Sequence, residues 1–230
     1  MNSFKILQKV ICLIISILML ISLLGGCQDS KKESSAPESS SSESSSSSKE
    51  ESASKEKVPM GDFAVKYKDY EIDFDEYKMI TVYMITGLLK KNQSSIEKDH
   101  LTLEEFVRSG SFEGQTAASW IKQNSLEYAK FALIAREKLK QLGKDLSQER
   151  KTYLDSLINE SVSEVYSVSL NAIKEARYDH ERNKILEQEN IDVSDSELGE
   201  VTVNEDVIGK IDLIDLARSV QTFLTKKALD

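Results

Sequence analysis

The spacing of apolar residues changes several times along the chain, and each change marks an element. Val10–Leu24 is a continuous apolar run (VICLIISILMLISLL). Gln28–Lys57 is almost free of large apolar side chains. Phe63-Ala64-Val65-Lys66-Tyr67 then alternates, Lys68-Asp69 turns, and Tyr70-Glu71-Ile72 returns, which predicts a short β-hairpin. From there the period becomes helical. Tyr77, Ile80, Met84 and Leu88 form a stripe widened by Phe74, Ile85 and Leu89, predicting a helix from Phe74 to Lys91. Asp73 reads as its N-cap, with Glu76 three residues on completing a capping box.

Asn92–Gly114 is polar, with a short helical piece expected at Leu103–Arg108. Thr116–Leu142 carries Ile121, Tyr128, Phe131, Ala132, Ala135, Leu139 and Leu142 on one broad face, and Gly143 supplies the stop. Ser147 caps an expected helix over Gln148–Leu170, with Leu154, Leu157, Ile158, Val162 and Val165 inward. Another helix is expected over Ala172–Gln188. Asn204 caps a last one over Glu205–Leu229, apolar around most of its circumference. Such a helix is usually enclosed by others, so it is expected to be the domain's central strut. The chain is therefore expected to be mainly α, with a short β-hairpin at the start of the folded part.

The front of the chain has a different logic. Lys5 and Lys9 precede the apolar run, which ends in Leu24-Gly25-Gly26-Cys27. This is the layout of a secretory signal peptide. About fifteen apolar residues fall short of the roughly twenty that span a bilayer. The glycine pair before Cys27 resembles the lipobox of bacterial lipoproteins, which implies cleavage after Gly26 and a diacylglycerol on the Cys27 thiol. Residues 1–26 are then the signal peptide, 27–57 the lipidated cysteine with a disordered Ser/Glu/Lys-rich tether, and 58–230 the helical domain. The serine runs Ser39–Ser42 and Ser44–Ser48 bury too little to offset the entropy of ordering them. A flexible tether of about thirty residues reaches roughly 30 Å on average and about 100 Å when stretched.

Charge and cysteine usage narrow the partners. The formal net charge is −9, and losing Lys5 and Lys9 with the signal deepens it to −11. A chain this acidic is not expected to bind nucleic acid, whose phosphates need a basic face. Of the two cysteines, Cys12 lies in the apolar run and Cys27 is the lipid site, so no disulfide or thiolate metal site is expected in the folded part.

No catalytic constellation stands out. His100 and His180 are the only histidines and sit in polar surroundings, so both are expected at the surface. Asp73 and Asp75 do not open an EF-hand, because the sixth position is Lys78 where glycine is needed. There is no phosphate-binding glycine loop and no Gly-x-Ser-x-Gly elbow. No catalytic residue, cofactor or metal is expected. Trp120, Tyr128 and Phe131 lie on or near one helix face; they are candidates for lining a peptide-binding cleft, with core packing as the alternative.

Three segments carry a resemblance. They are the hairpin running into a capped helix (Val65–Tyr77), the helix end Lys140-Gln141-Leu142-Gly143 followed by Lys144–Glu149, and the closing Val220–Lys227. Together they resemble the N-terminal chaperone domain of the SurA/PrsA family in its Gram-positive lipoprotein form, over most of Val58–Asp230. The resemblance implies a non-enzymatic, lipid-anchored protein on the extracytoplasmic face of the cell membrane, holding unfolded or extended secreted polypeptides. Many members carry a parvulin prolyl-isomerase domain next. The chain ends at Asp230, where that domain would start, so no parvulin residue is carried over. The alternatives are a peptidyl-prolyl isomerase or a fragment of one, and a non-catalytic envelope adaptor that binds one partner.

Overall fold

The computed structural model describes residues 63–227. The signal peptide, Cys27, the serine-rich tether and residues 58–62 and 228–230 of the expected domain lie outside the described residues. Strands β1 (Phe63–Tyr67) and β2 (Tyr70–Asp73) form the expected hairpin, with Val65 opposite Ile72 and Tyr67 opposite Tyr70. Asp73 then caps α1 (Phe74–Lys98), its Oδ1 accepting the Glu76 N–H at 2.8 Å. The capping box does not close: the Glu76 carboxylate turns inward to Arg136.

After α1 come α2 (Leu103–Ser109), a two-residue-per-strand hairpin β3 (Ser111–Phe112) and β4 (Gln115–Thr116), and the long α3 (Ala117–Gln141). Gly143, at φ +64°, ends α3 as a left-handed cap, and the Lys144 N–H reaches back to the Leu139 carbonyl at 2.8 Å. Helices α1, α3 and α6 (Leu170–Gln188) pack against one another and form the middle of the domain. Met79, Ile80, Ile85, Leu88, Ile121, Leu133, Ile134 and Ala176, contributed by these three helices, belong to the main buried core.

Two expectations fail for local reasons. The single helix over Gln148–Leu170 is α4 (Gln148–Ser156) and α5 (Ser161–Tyr166). Asn159 breaks it, its side-chain oxygen accepting from the Ser161 N–H and hydroxyl at 3.0 and 2.7 Å. Ser167, at φ 49°, ends α5 and turns the chain into the Ser169 cap of α6. Leu154 is buried, whereas Val165 points to solvent.

The last helix is also two. After α7 (Asp195–Gly199) and a third strand β5 (Thr202–Val203), which pairs antiparallel with β1, Asn204 caps only the four-residue α8 (Glu205–Ile208). Gly209 is the C-cap that ends α8, and the Asp212 carboxylate accepts the Ile214 and Asp215 N–H groups at 2.9 and 3.0 Å to start α9 (Leu213–Lys227). The four-residue α8 and the fifteen-residue α9 are separate helices, so one continuous cylinder drawn through both misassigns their apolar residues to a single set of faces. In fact α9 is amphipathic. It buries Leu213, Leu216, Ala217 and Val220 against α2 and α1 and keeps Arg218 and Thr222 in solvent. It flanks the domain; the central strut is the α1–α3–α6 trio.

Candidate functional site

A cleft of about 530 Å³ opens between the N-terminal half of α3, the start of α1 and the α8–α9 corner. Its α3 wall is Ser119, Lys122, Gln123 and Leu126, spaced i, i+3, i+4, i+7 and thus one stripe of the helix. Tyr77 and Thr81 of α1 line the base; both are buried, and the Thr81 hydroxyl donates to the Tyr77 carbonyl at 2.9 Å. Glu205, Ile208, Gly209, Ile211 and Leu213 form the opposite wall, and Gln115 of β4 borders the cleft from the hairpin. Half-buried Leu126, Ile208 and Ile211 give the site an apolar lining. Burial pushes the Tyr77 phenol well above its usual range, and nearby Glu205 adds to this, so the phenol stays protonated.

The aromatic residues proposed from sequence do not line this cleft. Trp120, Tyr128 and Phe131 are all buried, at 2, 2 and 6 % exposure. Trp120 and Tyr128 belong to the main core, and Phe131 packs with Ala135, Leu139 and Leu186 in a separate small cluster at the other end of α3. They sit on the inward faces of α3, whereas the cleft stripe lies beside them. That stripe is polar except for Leu126, which is why a search for aromatic faces passes over it.

A second assembly of functional groups lies within the helix trio. The Arg136 guanidinium donates to both Asp179 oxygens, through Nε at 2.9 Å and Nη2 at 2.7 Å, and also to the Glu76 carboxylate. Arg136 Nη1 reaches the Glu71 carbonyl at 3.3 Å. Arg182 donates to Asp179 at 2.8 Å and to Asp145 at 2.9 Å. Burial opposes every one of these charges. For Arg136 the carboxylates of Asp179 and Glu76 overcome that penalty and hold the guanidinium firmly charged. For Asp179 the two guanidinium groups bring the carboxyl below its ordinary range. Glu76 has only one such partner, and burial, helped by Asp179 and Glu175, lifts its carboxyl well above its ordinary range. This clasp joins α1, α3, α6 and the loop after α3. None of its members borders the cleft.

His180 corrects the sequence expectation outright. It is fully buried on α6, and neither ring nitrogen has a hydrogen-bond partner. Burial, with Lys184 nearby, depresses it to about 3, so it is neutral at physiological pH. His100 does lie at the surface, in the left-handed turn after α1. Among the described residues, no group of three or more His, Cys, Asp or Glu is arranged to hold a metal ion, and no helix is long and apolar enough to cross a membrane. Comparison of the chain with protein-family models, curated proteins and solved structures found no match.

Proposed function

We propose that the chain is a lipid-anchored extracytoplasmic protein whose helical domain holds unfolded or extended polypeptides, without catalysing a reaction on them. The cleft carries this reading. An extended polypeptide needs apolar space for alternate side chains and neutral polar groups for its main chain. Leu126, Ile208, Ile211 and Leu213 offer the first, and Gln115, Ser119 and Gln123 offer the second. Amide and hydroxyl groups donate and accept, so they serve any main chain without selecting a sequence. The resemblance of the Val65–Tyr77 and Lys140–Glu149 segments to the SurA/PrsA chaperone domain supports the same reading, as do the Cys27 signal and the tether.

The test is binding of a permanently unfolded client, fluorescein-labelled reduced carboxymethylated α-lactalbumin, to the purified full chain by fluorescence anisotropy. Saturable binding is expected, and Leu126→Glu should weaken it at least about tenfold by placing a charge in the apolar lining. Absence of binding by the wild type, or unchanged affinity in the variant, overturns the reading. Acceleration of a proline-limited refolding reaction by substoichiometric chain would instead make the protein an isomerase.

A further inference from the structure

The hairpin that brings Gln115 to the cleft is held at its base, where the Ala117 N–H donates to the Gly110 carbonyl at 2.9 Å and the Ser111 hydroxyl to the Gln115 carbonyl at 3.2 Å; its tip needs a separate hold. Strands β3 and β4 have two residues each, with Ser111 opposite Thr116 and Phe112 opposite Gln115. So short a ribbon is not stable by itself. Its turn residues Glu113 and Gly114 both have positive φ, +50° and +82°. A two-residue turn of this kind favours Asn, Asp or Gly at both positions. Gly114 fits. Glu113 is a poor choice for the backbone, so its side chain needs an explanation.

The side chain is a fastening. Glu113 Oε2 accepts the indole N–H of Trp120 at 3.0 Å, and Oε1 lies 3.9 Å from the Lys91 ammonium. That ammonium sits 5.3 Å from the centre of the Phe112 ring and 5.5 Å from that of Trp120. The two rings meet edge to face at 5.2 Å. The carboxylate thus ties the hairpin tip to α3 through Trp120 and to α1 through Lys91. Trp120 is buried whereas the Glu113 side chain remains 60 % exposed, so the fastening is at the surface and open to release.

We propose that Glu113 is a positioning residue, strapping the β3–β4 hairpin to Trp120 and Lys91 and thereby fixing the Gln115 side of the cleft in its holding geometry. The effect on clients rests on the polypeptide-holding reading; the strap itself does not. Releasing it leaves the helices in place and lets the hairpin tip and Gln115 swing about Thr116, which stays bonded to Ser119 as the N-cap of α3.

Two variants of the full chain test this. Glu113→Gly suits the left-handed backbone and deletes the carboxylate. Glu113→Gln keeps an acceptor for the indole N–H and loses only the charge facing Lys91. Trp120 is the single tryptophan, so acrylamide quenching reads its enclosure directly. Quenching should rise about threefold in Glu113→Gly, as for a locally opened segment, and stay near wild type in Glu113→Gln. Affinity for the labelled unfolded α-lactalbumin should fall about five- to tenfold in Glu113→Gly and less in Glu113→Gln. A folded Glu113→Gly protein, by circular dichroism, with wild-type quenching overturns the strap. Raised quenching with unchanged affinity overturns its role in the cleft. A wild-type chain that binds no client removes the holding reading and the cleft role together, and the strap is then judged on quenching alone.

Discussion

Along α3, the first half borders an open cleft while the second half drives a guanidinium into a closed core. On the cleft side, Ser119, Lys122 and Gln123 are exposed and Leu126 is half-buried. On the clasp side, Arg136 is 8 % exposed and binds two carboxylates and a carbonyl. One helix thus serves two regimes. In a low-dielectric interior each polar group must find its partner, so the geometry is unique and costly to disturb. At the cleft, water satisfies the same kinds of group, so they stay free to exchange it for a passing ligand. Stability is expected to concentrate in the clasp and binding in the cleft, and substitutions can separate the two.

The largest effect should come from Asp179→Ala. It removes the shared acceptor of Arg136 and Arg182, leaving Arg136 to Glu76 and Arg182 to Asp145, with the two guanidinium groups no longer bridged. Breaking a buried ion pair from one side typically costs about 3–5 kcal/mol. That is a large part of a domain's net stability, about 5–15 kcal/mol. The denaturant midpoint should fall accordingly. A loss below about 1 kcal/mol would mean that water reaches the clasp and that the two halves of α3 do not differ as described.

What the sequence made legible follows the range of the interactions. The Asp73 cap, the Leu103 helix and the Gly143 stop depend on neighbours within four residues, and all three are where the pattern puts them. The clasp does not show, because Glu76 fits a capping box as well as a buried ion pair. Only the fold, which brings Arg136 to it from 60 residues away, decides between them. Strand β5 escapes for the same reason, since its partner β1 lies far back in the chain. His180 looks exposed in the sequence because its neighbours are charged, yet Asp179 and Glu181 are buried, committed to Arg136, Arg182 and Arg150. The cleft stripe at 119, 122, 123 and 126 has a helical spacing that is visible in the sequence. Its opposite wall is not, because it depends on the break at Gly209.

An intermediate effect is expected from His180, as a pH dependence. Buried, it titrates near 3; in the unfolded chain it returns to about 6.5. Below 6.5 the unfolded state therefore takes up a proton that the folded state refuses. The stability this residue contributes is complete above pH 6.5 and is lost as pH falls from there towards 3. Glu76 runs the other way, its raised carboxyl favouring the folded state less as pH climbs above 4.5. The two overlap, so the wild-type curve alone does not separate them. The difference between wild type and His180→Gln cancels Glu76. It should rise with pH between about 4 and 6.5, by no more than about 1.4 kcal/mol per pH unit for one proton. Chemical denaturation at a series of pH values measures it, and a flat difference would show His180 to be hydrated in the folded state.

The smallest stability effect should come from the cleft, and one helix supplies its own control. Leu126 and Leu133 are seven residues apart on α3, two turns along nearly the same face. Leu133 is fully buried among α1, α3 and α6, and Leu126 is half-buried at the cleft. Leu133→Ala leaves a cavity that its neighbours cannot fill, at a cost of about 2–5 kcal/mol. Leu126→Ala leaves no closed cavity, because the space already opens to solvent. It removes part of the contact area of one side chain whose full burial is worth roughly 1.5–3 kcal/mol, so a loss of about 1 kcal/mol is expected. Binding of the labelled client should order them in reverse: Leu126→Ala weakens it while the fold stays intact, and Leu133→Ala leaves the cleft unchanged as long as the protein remains folded. Equal stability losses in the two variants would mean that the cleft is closed in solution. Equal affinities at temperatures where both are folded would move the binding surface away from α3.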